Sequence, residues 1–211
     1  MDIFLARQPI FNKNMDVYGY ELLYRNNNVK NLCQFFNAKE ASLEVIAASF
    51  VVIGLTKLTG GKKAFINFTE DLLQEEFATI LPKEDLIIEV LEDVEPTKEN
   101  VEACHNLVKA GYKIALDDFE YKAAYNDLIN ISSIIKVDFI NSSRAACKEL
   151  INKYKNRKIL FLAEKIETQE DFECALAMGY SLFQGYHFCK PVIKTKKKVE
   201  PFKINAIELI K

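Results

Sequence analysis

Seven short apolar segments of this 211-residue chain end in side chains that can bind a cation or carry a proton: Glu21, Asn67, Glu89, Asp117 with Asp118, Lys136 with Asp138, Glu164 with Glu167, and Gln184. If these ends meet, several carboxylates share one small space. Two like charges 4 Å apart repel by about 4 kcal/mol at an effective dielectric near 20. Such a cluster must hold protons at raised pKa or hold cations. The donors are oxygens, without a paired cysteine or histidine, which selects Mg2+ or Mn2+ over zinc. Glu21, Asn67, Glu89, Asp117 and Asp118 are the candidate ligands for one or two ions. Two ions about 3.5 to 4 Å apart suit phosphodiester hydrolysis, since they ionise the attacking water and offset charge on the entering and leaving oxygens. In that chemistry Lys136 meets charge developing on the phosphoryl oxygens, and Glu164 takes a proton from water.

Taken singly, each acid is more often a helix cap or a solvated loop charge, and Lys136 could simply pair with Asp138. Agreement among seven segment ends favours a site. The two histidines, His105 and His187, read as packing or surface residues, and no nucleophile elbow accompanies them, which argues against a Ser-His-Asp hydrolase. Metal-assisted proton abstraction through Lys136, Asp117, Glu89 and Glu164 is a further reading. It gains little from Asn67, Gln184 and the paired aspartates.

The elements that must position these groups alternate. Segments rich in β-branched and aromatic residues fall at Ile3 to Gln8, Val17 to Arg25, Ala64 to Asn67, Leu86 to Leu91, Lys113 to Asp117, Ile134 to Val137, Ile159 to Ala163 and Leu182 to Tyr186. Helical patterns occupy Ala38 to Leu58, Glu70 to Phe77, Thr97 to Ala110, Ala123 to Ile129, Ser142 to Tyr154 and Thr168 to Met178, several stopped by glycine. Strand alternating with helix predicts a parallel (β/α)8 barrel of the TIM type, whose chemistry sits where the strands end. Only six residues, 11–16, join the first two strands, so the barrel is expected to open with an antiparallel hairpin.

With 49% apolar residues and a formal net charge of -2, the chain fits one globular domain, and no broad basic face points to DNA or to a membrane surface. Five scattered cysteines without a Cys-x-x-Cys pair, and a start that lacks signal-peptide features, suggest a reduced cytoplasm. The barrel is expected over 1–193. Residues 194–211, lysine-rich at first and then a short helical pattern from Pro201 to Lys211, read as a tail or linker.

The motifs also carry a resemblance. Arg7-Gln8-Pro9-Ile10, Glu21-Leu22-Leu23-Tyr24-Arg25, Phe65-Ile66-Asn67-Phe68, Ile88-Glu89-Val90-Leu91-Glu92, Leu116-Asp117-Asp118-Phe119, Lys136-Val137-Asp138, Ala163-Glu164-Lys165-Ile166-Glu167 and Gln184-Gly185-Tyr186 through Lys190-Pro191 resemble, in order, the motifs of the EAL family of cyclic di-GMP phosphodiesterases. The resemblance implies opening of cyclic di-GMP to linear pGpG. It implies metal binding by Glu21, Asn67, Glu89, Asp117 and Asp118, and a general-base role for Glu164. Lys136, Glu167, Gln184, Asp138 and Glu92 would support the site, and Gln8, Arg25 and Pro191 would contact the dinucleotide. A homodimer is a further implied partner. The alternative is a catalytically impaired module that binds cyclic di-GMP or a protein. It is motivated by residues 120–125, which replace the family's Gly and Thr-Gly-Tyr-Ser-Ser loop, the segment that Glu92 would anchor. Leu22 stands where the family has Ala, and Lys165 where it has Gly. The wording looks most like the branch in which this domain precedes an HDOD module, so a C-terminal HDOD-like module absent from this chain is expected.

Overall fold

A computed structural model describes residues 2–25, 38–75 and 77–197. Among these residues nine strands form one sheet: β1 (Asp2–Asn12), β2 (Val17–Arg25), β3 (Lys63–Phe68), β4 (Leu86–Val90), β5 (Lys113–Leu116), β6 (Ile134–Asp138), β7 (Leu160–Glu164), β8 (Leu182–Phe183) and β9 (Val192–Lys197). From β2 to β8 each neighbouring pair is parallel. β1 closes the ring, running antiparallel to β2 on one side and to β8 on the other through Phe11↔Phe183 and Asn12↔Leu182. The eight strands therefore form the expected closed barrel with its irregular opening hairpin. β9 continues past β8 along the same edge of β1, from Arg7↔Val192 to Asp2↔Lys197. Residues 198–211, including the expected helix from Pro201, lie outside the described residues.

Among the described residues, seven α-helices cover the parallel strands: α1 (Ala38–Ala47), α2 (Leu55–Thr59), α3 (Glu70–Gln74), α4 (Lys98–Lys109), α5 (Asn126–Ile131), α6 (Arg144–Tyr154) and α7 (Gln169–Met178). Thr97, Ser143 and Thr168 cap three of them, each side chain accepting a backbone N–H three residues on. The single helix expected over Ala38 to Leu58 is divided. α1 passes into a π-helical turn, Ala48–Ile53, and Gly54 (φ 93°) adopts a backbone that L side chains rarely take before α2 begins. None of the helices among the described residues is long and apolar enough to cross a membrane.

The last barrel strand is shorter than expected, ending at Phe183 rather than Tyr186. Gln184 still donates its N–H to Ala163 O, but the chain then turns at Gly185 against the segment after β7. A Cβ at Gly185 would lie 2.1 Å from Ile166 O and 2.3 Å from Ile166 N, so only glycine lets the two backbones approach this closely.

Candidate functional site

Strand periodicity builds the site in layers. Ile10, Phe65, Ile87, Ala115, Ile134, Leu162 and Leu182 form one buried apolar cluster inside the barrel, a single residue from each of seven strands. On β2 the corresponding position is Gly19, where a Cβ would lie 2.8 Å from Phe65 Cε2, so the missing side chain makes room for the phenyl ring. Two residues further toward the mouth come Asn67, Glu89, Asp117, Lys136, Glu164, Gln184 and Glu21, and Gln8 on the reversed β1. The register sets Gln8 beside Glu21 and Asn67 beside Glu89. Eight strands thus lay a polar ring directly on an apolar floor.

Lys136 is the hub. Its Nζ lies 2.5 Å from Asp117 Oδ1, 2.6 Å from Glu89 Oε1, 3.0 Å from Glu164 Oε1 and 4.0 Å from Glu21 Oε1. Both Lys136 and Glu89 are 0% exposed. Gln184 Nε2 donates to Glu21 Oε2 and, over 3.2 Å, to Gln8 Oε1, while Gln8 Nε2 donates to Cys189 O. Burial pulls the Lys136 ammonium toward deprotonation, but the surrounding carboxylates outweigh it and hold its pKa well above the ordinary value. Burial likewise pushes Glu89 well up, against the pull of Lys136. Glu164 rises to about 8, through burial first and then through Asp117, Glu21 and Asp118, with Lys136 opposing. The two sets of shifts describe one physical situation: Lys136 keeps its charge, and four carboxylates around one ammonium retain a net negative charge that protons or a further cation must offset.

A second cluster sits one layer higher. Asp138 does not pair with Lys136, the simpler partner suggested by spacing, because Lys136 points into the lower ring. Instead Asp138 Oδ2 accepts from Lys165 Nζ (2.6 Å) and Asn141 Nδ2 (2.6 Å), and Oδ1 accepts the N–H groups of Ile140 (3.0 Å) and Asn141 (2.9 Å). Burial raises the Asp138 carboxyl, but these donors prevail and hold it below its ordinary pKa. Lys165 also reaches Asp118, at 3.1 and 3.3 Å from its two oxygens. These contacts hold Lys165 above its ordinary pKa although burial pulls it down.

Above the ring opens a cavity of about 500 Å3, bordered by Gln8, Glu21, Asp117, Asp118, Glu164, Glu167 and Gln184. Glu92 lies on the solvent-exposed turn after β4, beside an adjoining space that Asp117 and Asp118 share. Arg25 ends β2, and its side chain is outside the described residues. Pro191 immediately precedes β9 and does not border the cavity. Sequence reasoning missed Asn141, Leu23, Ile140 and Tyr186, which do border it. Only Asn141 carried a usable signal, since an Asp side chain commonly accepts backbone N–H groups about two residues on and so marks a turn after Asp138.

Among the described residues, no three Asp, Glu, His or Cys side chains already stand at ion-binding geometry. Lys136 draws its carboxylates onto its own ammonium. The donor set nonetheless fits a hard cation, because Asn67 Oδ1, Glu89 Oε2 and Glu164 Oε2 are buried oxygens with no hydrogen-bond donor. Buried acceptors without a donor are costly, and oxygen ligands of this kind suit Mg2+ or Mn2+.

Comparison with known proteins gives the same outline. A family model described as "EAL domain" matches residues 2–191. Uncharacterized protein YuxH of Bacillus subtilis is 38% identical over 198 residues, covering 92% of this chain and 48% of YuxH. Cyclic di-GMP phosphodiesterase CdgJ of Vibrio cholerae is 32% identical over 210 residues, covering 99% of this chain and 49% of CdgJ. The chain therefore spans about half the length of these curated relatives. Among solved structures, Klebsiella pneumoniae BlrP1 in complex with calcium and cyclic di-GMP superposes with a TM-score of 0.71 at 23% identity, over 93% of this chain and 59% of BlrP1. Its complex with manganese and cyclic di-GMP gives 0.69. At that identity the likeness speaks for the fold alone.

Proposed function

The chain belongs to the EAL domain family, and from that premise we propose that it hydrolyses cyclic di-GMP to linear pGpG in the cavity above the ring. The observation that carries this reading is the gathering of Glu21, Glu89, Asp117 and Glu164 around Lys136 at one mouth. Glu21, Asn67, Glu89, Asp117 and Asp118 would hold Mg2+ or Mn2+, as one ion or two. Such an ion, when bound, supplies the Lewis acidity that ionises water and offsets charge on the departing oxygen. Glu164 borders the cavity, and the burial that raises its pKa to about 8 makes its ionised form a stronger base toward water than an ordinary carboxylate. Lys136 keeps its charge beneath the reacting phosphate and balances the negative charge that builds on the phosphoryl oxygens. Gln8 and Gln184, tied to each other and to Glu21, fix the wall against which the dinucleotide would lie.

Incubation of the protein with cyclic di-GMP and Mg2+ or Mn2+ tests the reading. Linear pGpG is the expected product, and Glu164→Gln lowers its rate by at least about a hundredfold. If wild type yields no product, the hydrolase reading fails.

A second reading, a module that binds cyclic di-GMP or a protein without turnover, is favoured by the segment after Asp118. There Phe119 is buried and meets Tyr125 edge-on at 5.9 Å, and a short 3-10 turn, Ala123–Tyr125, replaces the expected start of a helix. Calorimetric binding of cyclic di-GMP without product would select it.

A further inference from the structure

Asp117 and Asp118 are neighbours in the chain, yet different ammonium groups hold them. Asp117 belongs to Lys136 in the buried ring, whereas Asp118 is gripped through both oxygens by Lys165. The grip is built into the backbone. Asp118 (φ 38°) and Lys165 (φ 57°) both adopt the left-handed conformation, which non-glycine residues rarely take unless their surroundings impose it. They face each other from the ends of β5 and β7, and the Lys165 stem runs along the cavity wall to reach Asp138 as well. Its side chain is about half exposed along the cavity, so the ammonium has a path away from Asp118 into the mouth while Asp138 still anchors it. Next to Lys165 in the chain, Glu164 Oε2 remains buried and without a donor.

We propose that Lys165 is a tethered cation seated on Asp118, so that the chain takes up one divalent ion at the ring and admits a second only by displacing this ammonium. The proposal rests on the metal-site reading above and adds a rule for ion stoichiometry that this chain's own side chain sets. A divalent ion approaching Asp118 must separate an ion pair that shares a carboxylate with it. The electrostatic repulsion between the ammonium and the arriving ion opposes it further.

Titration of Mn2+ into the full chain, with free ion followed by its electron paramagnetic resonance signal, tests the idea without reference to turnover. Wild type, Lys165→Gly, Lys165→Met and Glu89→Gln are compared. Glycine suits the left-handed backbone at 165, and methionine keeps the apolar stem while removing the charge. The expected result is one ion bound readily by wild type, and a second bound at least about tenfold more tightly in both Lys165 variants than in wild type. Unchanged second-ion affinity in folded Lys165→Gly and Lys165→Met, with the first ion still bound, overturns the proposal and leaves the metal site standing. If no protein binds Mn2+, or Glu89→Gln keeps the first ion, the metal-site reading itself fails and the proposal goes with it.

Discussion

An ammonium with no exposure to solvent is tolerable only while its counter-charges stay in place. Lys136 has three carboxylate oxygens within 3.0 Å and a fourth at 4.0 Å. Removing the charge while keeping the stem leaves those carboxylates facing one another in a buried space. Lys136→Met is therefore expected to destabilise the protein by about 3 to 5 kcal/mol in metal-free buffer, measured by urea denaturation. A loss below about 1 kcal/mol would mean that the carboxylates already carry their protons and the ammonium matters little. The sequence identified Lys136 as a site residue but left its partner open. Lys136 and Asp138 are two apart on one strand and face the same way, so they occupy successive layers. Which acid each layer supplies depends on the register of β4, β5 and β7 around β6, and no local spacing encodes that. Lys165 was visible only as an unusual residue beside Glu164. Its bond to Asp118 follows from two left-handed backbones, which a sequence does not display.

At the scale of elements, the ring was legible because a strand's side chains alternate with period two. Each polar residue stands two places beyond an apolar one of the barrel floor, as in Phe65 and Asn67, Ile87 and Glu89, or Leu162 and Glu164. Boundaries were less legible. Tyr186 extended the apparent strand past Phe183, whereas the close approach of Gly185 to Ile166 ends it. The helical pattern from Ala38 gave no notice of the π-helical turn, since residues 48–53 are apolar apart from Ser49 and the break comes from the backbone of Gly54. Gly185→Ala is predicted to cost about 3 kcal/mol or more in thermal or chemical denaturation, because its Cβ would meet fixed backbone rather than a side chain that can move. Near-wild-type stability would show that the segments after β7 and β8 can separate without penalty.

For the whole molecule, closure depends on β1 running against its neighbours. Parallel crossovers carry the chain from β2 to β8, and the reversed first strand then seals the gap and contributes Gln8 to the ring. β9 lies along β1 with Asp2 opposite Lys197. The exposed turn between α6 and β7 sits at the far end of the barrel from the mouth. A circular permutant that joins Lys197 to Asp2 through a short glycine-serine linker and opens the chain between Asn156 and Arg157 should therefore fold cooperatively, with a stability loss below about 2 kcal/mol by urea denaturation. An unfolded product would mean that the α6–β7 connection is needed to set the register of β6 and β7. Because β1 pairs with β9 over residues 2–7 and carries Gln8 in the next position, the strand that seals the barrel is also the one that joins β9 to the polar rim.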